Sequence, residues 1–475
     1  MTIGLPIEIK VREFLSKVFF GVKLAEELNQ DVLIGEKNQV YRLFKNTKNF
    51  YLISKGGPVG LFKFEKEKFS NNYLGLLDEE APLINIGTQE LLPRIHKKIL
   101  ENVDEYFVWG KKDFGIIKKK IKDKNKFLIF GHPKFDLLKS KNISFFEDNV
   151  SRIKKKYKNL IFIPSSFITD QVMGDKKTDN FQIEQFLKKT NDKIKFEYKK
   201  KRLIEEENYN SFIKLLIELS KKNPNYNFVF RPHPRQSLKK IKNRFLGSPK
   251  NLHIVFEGTI TPWIIASDLY IHYGCTSSLE AAILKKKIIF FVKDERALES
   301  RNIGLFKSIG YNFNNYERCV KFINLHLSKK LKKMKNSRVS SSLIYNSSKY
   351  SFSDNFINFF KKKYSNKIQN IAVKDIKSIF SKEDESYSKR FLSNLKNIIL
   401  KNEFLSSLAQ KKNSNFLLSK DYKLKKFDGI SFKEIKKTVL ILQKKIKLTH
   451  KIKVIEIDKN LFLLKRDISN NKLKN

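Results

Sequence analysis

A chain of 475 residues is long enough for two or three domains at roughly 100–200 residues each. Its 41% hydrophobic content, with 41 Phe and 17 Tyr, excludes wholesale disorder, and two cysteines, Cys275 and Cys319, are too few for a disulfide framework and fit a reducing compartment. The net charge of +48, from 97 Lys and Arg against 49 Asp and Glu, is spread over nearly every polar stretch beside abundant Asn, Ile and Phe. Such an even spread is a compositional bias that argues against a nucleic-acid partner and leaves attraction to an anionic membrane surface.

The opening Met1–Lys10 lacks the basic-then-apolar order of a signal peptide, and no apolar run approaches the roughly 18 residues of a membrane span. A cytoplasmic protein, peripheral on the inner membrane, is expected. Short apolar runs at Thr2–Ile9, Asp31–Gly35, Phe50–Ser54, Leu74–Asp78, Tyr106–Trp109 and Phe127–Gly131 read as strands. Between the first two, Leu15, Val18, Phe19, Val22 and Ala25 share one helical face, so residues 1–150 form a Rossmann-like acceptor domain. A second series, residues 151–330, has strands at Leu160–Pro164, Tyr226–Arg231, Leu252–Phe256, Asp268–His272 and Lys287–Val292 and a helix near Glu205–Lys221, and reads as a second Rossmann-like domain. The polar segment Thr169–Arg202 is expected to be a helical insertion or closing loop. Residues 331–475 read as a linker, Ser337–Ser353, and a mainly helical C-terminal extension, with helices at Asn355–Tyr364, Lys389–Lys401 and from a cap at Phe427–Glu434 to Lys447, then a strand-like run Ile452–Ile457 and a charged tail. The fold class expected is α/β: two Rossmann-type domains with parallel sheets facing a cleft.

Two segments carry most of the chemistry. Arg231-Pro232-His233-Pro234 follows a strand, and its prolines restrict the backbone around His233. The imidazole is thereby aimed to hydrogen-bond, or protonate, a departing phosphate, with Arg231 adding charge; an ordinary Pro turn at a strand end reads the same way. Thr276, Ser277 and Ser278 open a helix after the next strand but one, where hydroxyls and free N–H groups suit an anion. Ser277 and Glu280 also fit a capping box that needs no ligand. Glu257 and Glu280 are candidate acceptors of ribose hydrogen bonds, Glu280 the preferred one.

Acceptor activation needs a base. Asp78-Glu79-Glu80 ends a strand, where like charges are expected to raise at least one pKa; Glu80 is the nominal base, with Asp78 beside it. Glu8, Lys10, Arg12 and Glu13 end the first strand and are candidates for binding the acceptor. Asp-x-Asp, zinc-type spacings, Gly-x-Gly-x-x-Gly and Walker loops are missing from the sequence, so neither metal nor other cofactor is expected.

The runs Pro6–Phe14, Leu77–Glu80, Phe135–Leu138, Arg231–Pro234 and Pro262–Glu280, in order across residues 1–300, resemble the bacterial surface carbohydrate biosynthesis proteins, with Phe427–Ile430 a fainter echo. That family is similar to GT-B glycosyltransferases, among them capsule Kdo- and sialyltransferases that use CMP-sugars. The resemblance implies that His233, Ser277 and Ser278 hold the phosphate of a nucleotide-sugar donor while the first domain receives a glycan or lipid-linked acceptor. Ala81 stands where the pattern has Gly, and His132-Pro133 replaces Asn-Pro, a change expected to alter only a turn. The reading is a metal-independent glycosyltransferase. Its rivals are a CDP-polyol phosphotransferase or nucleotide-sugar epimerase of the same fold, and a non-catalytic basic module for nucleic acid or membrane.

Overall fold

The computed structural model describes residues 1–55, 71–79, 103–118, 123–167, 169, 192–234, 236–298, 303–329, 334–347, 349–365, 370–381, 427–446 and 448–467. Two sheets organise them. The first contains β1 (Thr2–Ile7), β2 (Val32–Glu36), β3 (Phe50–Lys55), β4 (Tyr73–Leu77), β5 (Glu105–Val108) and β6 (Phe127–Ile129). These run parallel in the order β2-β1-β3-β4-β5-β6. The strands read as nearly unbroken apolar runs because helices bury both faces. The helix Lys10–Leu28 lays Val18, Phe19, Val22 and Ala25 into this core, with Leu15 at its margin, and ends where Asn29 turns left-handed at φ 52°.

The second sheet contains β7 (Leu160–Pro164), β8 (Asn227–Arg231), β9 (Leu252–Ile254), β10 (Leu269–His272), β11 (Lys287–Phe291) and β12 (Tyr311–Phe313). Its order is β12-β11-β10-β7-β8-β9, with every pairing parallel. Strand order reverses at β7, so the crevice outside the carboxyl ends of β7 and β10 is the place such sheets offer a ligand. The expected α/β architecture of two Rossmann-type sheets is present.

From residue 351 on, the described chain is built into the first domain. Asp136 is the anchor of the return: its buried carboxylate accepts from Asn346 Nδ2 (2.8 Å), from the N–H groups of Phe352 (3.0 Å) and Ser353 (2.8 Å), and from the Ser353 hydroxyl. This fixes the start of the helix Phe352–Tyr364, whose Phe352, Phe356, Phe360 and Tyr364 pack on Phe20, Tyr51 and Phe107. The helix Phe432–Lys445 follows, capped by Ser431. Instead of a charged tail after Ile457, β13 (Ile452–Asp458) and β14 (Leu461–Arg466) form a hairpin whose second strand pairs antiparallel with β2. Lys10 ties this region down through the Gly429 carbonyl, Asp428 (3.1 Å) and Glu434 (2.9 Å).

The helix expected near Glu205 begins at Asp192 and runs to Lys222. The segment 170–191 and the expected helix Lys389–Lys401 lie outside the described residues. Among the described residues no helix is long and apolar enough to cross a membrane.

Candidate active site

At the second sheet, His233 follows β8 and is half-buried. Its N–H donates to Gln236 Oε1 (2.8 Å) and its carbonyl accepts from the Gln236 N–H (2.8 Å). Gln236 is buried and also donates to the Thr169 carbonyl (2.9 Å), tying the His233 loop to the segment after β7. Arg231 sits deeper. Its guanidinium spans the carbonyls of Glu257 (2.6 Å) and Gly258 (2.5 Å) and lies over the Phe256 ring. Burial pulls its pKa down to about 10, so it remains a cation. The geometry makes Arg231 the brace of the loop after β9. The Glu257 side chain is exposed, while its carbonyl also accepts from Trp263 Nε1.

After β10 the chain turns through Gly274, at φ 64°, into the helix Ser278–Ile283. His272 holds this turn by accepting from the Cys275 N–H (3.2 Å) through Nδ1, and burial keeps the ring neutral, its pKa pulled down to about 3. Ser277 makes no cap hydrogen bond; its hydroxyl pairs with Tyr270 Oη (2.7 Å) and lies 3.0 Å from Cys275 Sγ. Glu280 Oε2 accepts from the Thr261 hydroxyl (3.0 Å). The capping box is therefore not formed, because both of its side chains are engaged elsewhere. Thr276 is half-buried beside them.

Ser165 and Ser166, which sequence reading passed over, extend this wall. They leave β7, the strand between β8 and β10, and carry the same strand-end hydroxyl signal as residues 276–278. Ser166 donates to the Tyr273 carbonyl, and the Ser165 N–H donates to the Arg231 carbonyl (2.9 Å). The hydroxyls of Ser165 and Ser278 are buried with no hydrogen-bond partner among the described residues. The ends of β8 and β10 flank β7, two strand spacings apart, about 10 Å. That separation suits a nucleotide phosphate and its sugar.

At the first sheet the charged residues are paired, Glu13, Lys17 and Glu79 buried and Glu8, Arg12, Lys37 and Lys55 half-buried. Glu13, in the first turn of the helix Lys10–Leu28 that follows β1, takes the Glu8 N–H (2.8 Å) and sits 3.3 Å from Lys17 Nζ. Glu8 pairs with Lys55 (3.1 Å) and Lys37 (3.5 Å). Arg12 is half-exposed next to Glu13, 4.0 Å away. Glu79, after β4, lies 3.0 Å from Lys17 Nζ and 3.0 Å from His132 Nε2. Burial alone would raise its pKa, but Lys17 and His132 together hold it well below the ordinary carboxylate range. At Glu79 the shift runs downward, set by these two closer partners rather than by the neighbouring carboxylates. Asp78 is buried, and its carbonyl accepts from Trp109 Nε1 (2.9 Å). Glu80 lies outside the described residues.

The expectation that His132-Pro133 alters only a turn is also corrected. His132 is buried; its Nδ1 accepts the Lys134 N–H (3.1 Å), which leaves the proton on Nε2 to be donated to Glu79. Burial lowers its pKa against the pull of Glu79. The residues 133–138 that it caps form a 3-10 turn packed on the helix Ser278–Ile283, so the two domains meet beside the site. A groove of about 620 Å³, lined in part by Glu218, Lys222 and Tyr316, lies elsewhere, near the residues leading into β8.

No family model matches the chain, and no curated protein matches it. Among solved structures it is similar to the wall teichoic acid polymerase TagF, 11% identical over 78% of this chain and 90% of that one, with a TM-score of 0.49. It is also similar to the S. aureus MnaA–UDP co-structure, 12% identical over 78% and 99%, TM-score 0.48. A third is Methanocaldococcus jannaschii UDP-GlcNAc 2-epimerase in complex with UDP-GlcNAc and UDP, 14% identical over 76% and 100%, TM-score 0.48.

Proposed function

We propose that this chain is a GT-B-type glycosyltransferase that moves a sugar from a nucleotide-linked donor, CMP-linked by preference, to a surface polysaccharide or its lipid-linked precursor. The observation that carries the reading is the crevice between β7 and β10, where buried hydroxyls of Ser165 and Ser278 have no partner among the described residues and His233 stands one strand away. Unpaired buried hydroxyls are costly, and a phosphate would satisfy them.

In the reaction the bond from the anomeric carbon to the phosphate oxygen breaks as an acceptor hydroxyl attacks. His233 hydrogen-bonds the departing phosphate, and Thr276, Ser277 and Ser278 line its seat. Glu280 and Glu257 are placed for the ribose, and Arg231 holds the Glu257 loop in position. The acceptor proton passes to a carboxylate at the end of β4, Asp78 or Glu80. Glu79 is a poor base, since a carboxylate held far below neutrality has little pull on a hydroxyl proton. Glu8, Arg12 and Glu13 form the floor on the acceptor side. The net charge of +48 would draw the chain toward an anionic leaflet that presents a lipid-linked acceptor.

Donor turnover tests this. With CMP-, CDP- and UDP-linked compounds offered in parallel, the native chain is expected to cleave a CMP-linked sugar in the presence of acceptor, and His233→Ala to lose about 100-fold or more of that rate with its unfolding midpoint unchanged. Full activity in His233→Ala overturns the assignment; turnover of a CDP-polyol, or epimerisation of a UDP-sugar without transfer, redirects it.

A further inference from the structure

One cation at the domain junction has no anion in contact with it among the described residues. Lys134 Nζ lies 4.5 Å from the centroid of the Trp109 ring and 4.9 Å from that of Phe135. Among the described residues its ammonium forms no hydrogen bond and no ion pair, while Glu280 and Cys275 of the second domain and Arg12 and Glu79 of the first act on it through space. Burial lowers its pKa, and the Glu280 charge opposes that. The side chain is half-buried, and a lysine drawn out of water in this way is commonly paired with a carboxylate.

Its placement is built with care. The Lys134 N–H is held by His132 Nδ1, His132 is held by Glu79, and Glu79 by Lys17. Pro133 fixes the backbone just before it. The turn that carries it packs against the helix opened by Ser278. Ser278, which opens that helix, and Ser165, after the neighbouring strand β7, have buried hydroxyls with no hydrogen-bond partner among the described residues. A cation without an anion and hydroxyls without acceptors, on the two sides of one domain junction, point to one oxyanion-bearing ligand between them.

We propose that Lys134 is the first domain's contact to an oxyanion of the bound nucleotide-linked substrate, so that the ligand is gripped from both domains at once. This rests on the donor-site reading above. The oxyanion is either the donor phosphate or a carboxylate on the transferred sugar, and the Lys17–Glu79–His132 chain is the positioning device that aims the lysine at it. Trp109 and Phe135 stabilise the bare ammonium when the site is empty, as aromatic faces do for cations.

Equilibrium binding of CMP, CDP and CMP-sialic acid to the full chain tests the proposal, with native, Lys134→Met, Lys134→Arg and Ser278→Ala proteins compared at equal folded fraction. Lys134→Met is expected to lose about tenfold to a hundredfold in affinity, the range of a charge-assisted hydrogen bond, and Lys134→Arg to recover most of it. A loss with all three ligands assigns the phosphate; a loss confined to CMP-sialic acid assigns the carboxylate. If Lys134→Met does not fold, Lys134→Gln takes its place. Native-like affinity for every ligand in the uncharged variant, while Ser278→Ala is weakened, overturns the role of Lys134 and leaves the donor site standing. Failure of the native chain to bind any of the three overturns the donor site itself.

Discussion

The carboxyl edges of the two sheets are built on opposite plans. At the first sheet, Glu8, Glu13, Lys17, Lys55, Glu79 and His132 pair with one another in a buried to half-buried ionic network, in which only Glu13 Oε1 is left without a hydrogen bond among the described residues. At the second, the turn after β10 and the start of the loop after β7 present hydroxyls, of which those of Ser165 and Ser278 have no partner among the described residues. A network that is already paired gains little from a ligand and serves as a rigid frame. A wall with orphaned hydrogen-bonding groups is incomplete until something binds. In the proposed reading the paired edge frames the acceptor side and the hydroxyl-lined edge captures the anion, with Lys134 reaching from one to the other.

The largest expected effect comes from breaking the frame. Lys17→Met leaves Glu13 and Glu79 buried with their shared cation gone, and loss of one partner of a buried ion pair costs about 3–5 kcal/mol. The urea midpoint is expected to fall accordingly with an unchanged slope; a loss under about 1 kcal/mol would mean that charge does not organise this edge. A smaller effect of opposite sign is expected across the cleft. Ser278→Ala removes a buried hydroxyl that has no partner, so stability is expected to hold or to rise by about 1 kcal/mol while CMP affinity falls about tenfold. A destabilised variant with native affinity would make Ser278 a structural residue and erase the contrast.

How much of this was legible in the sequence depends on how local the signal is. Strands such as Leu160–Pro164 and Lys287–Phe291 stood out because a parallel strand buried on both faces is an unbroken apolar run. Arg231 through Pro234 and Thr276 through Ser278 were found because each follows such a run. β14 was missed: Leu461–Arg466 reads as a tail until its partner β2, some 430 residues earlier, is known. His132 was taken for a turn residue for the same reason, since its partner Glu79 is 53 residues away and only the order of β4, β5 and β6 brings them together. The capping box at Ser277 and Glu280 was legible and yet is not formed, because Tyr270 and Thr261 compete for those side chains. Lys134 gave no sequence signal among so many lysines, and its distinction lies in having two aromatic rings beneath it and no anion in contact.

The central claim, that a nucleotide occupies the crevice between β7 and β10, is tested most directly by the chain's own two thiols. Cys275 is half-exposed beside Ser277, while Cys319 is buried and its thiol pKa is pushed well up by burial, which makes it an inert internal reference. Alkylation of Cys275 in the native protein is expected to slow about tenfold at a CMP concentration ten times its Kd, with Cys319 unmodified throughout. An unchanged Cys275 rate under CMP, CDP and UDP at concentrations where binding is otherwise detected would place the nucleotide elsewhere and contradict the assignment.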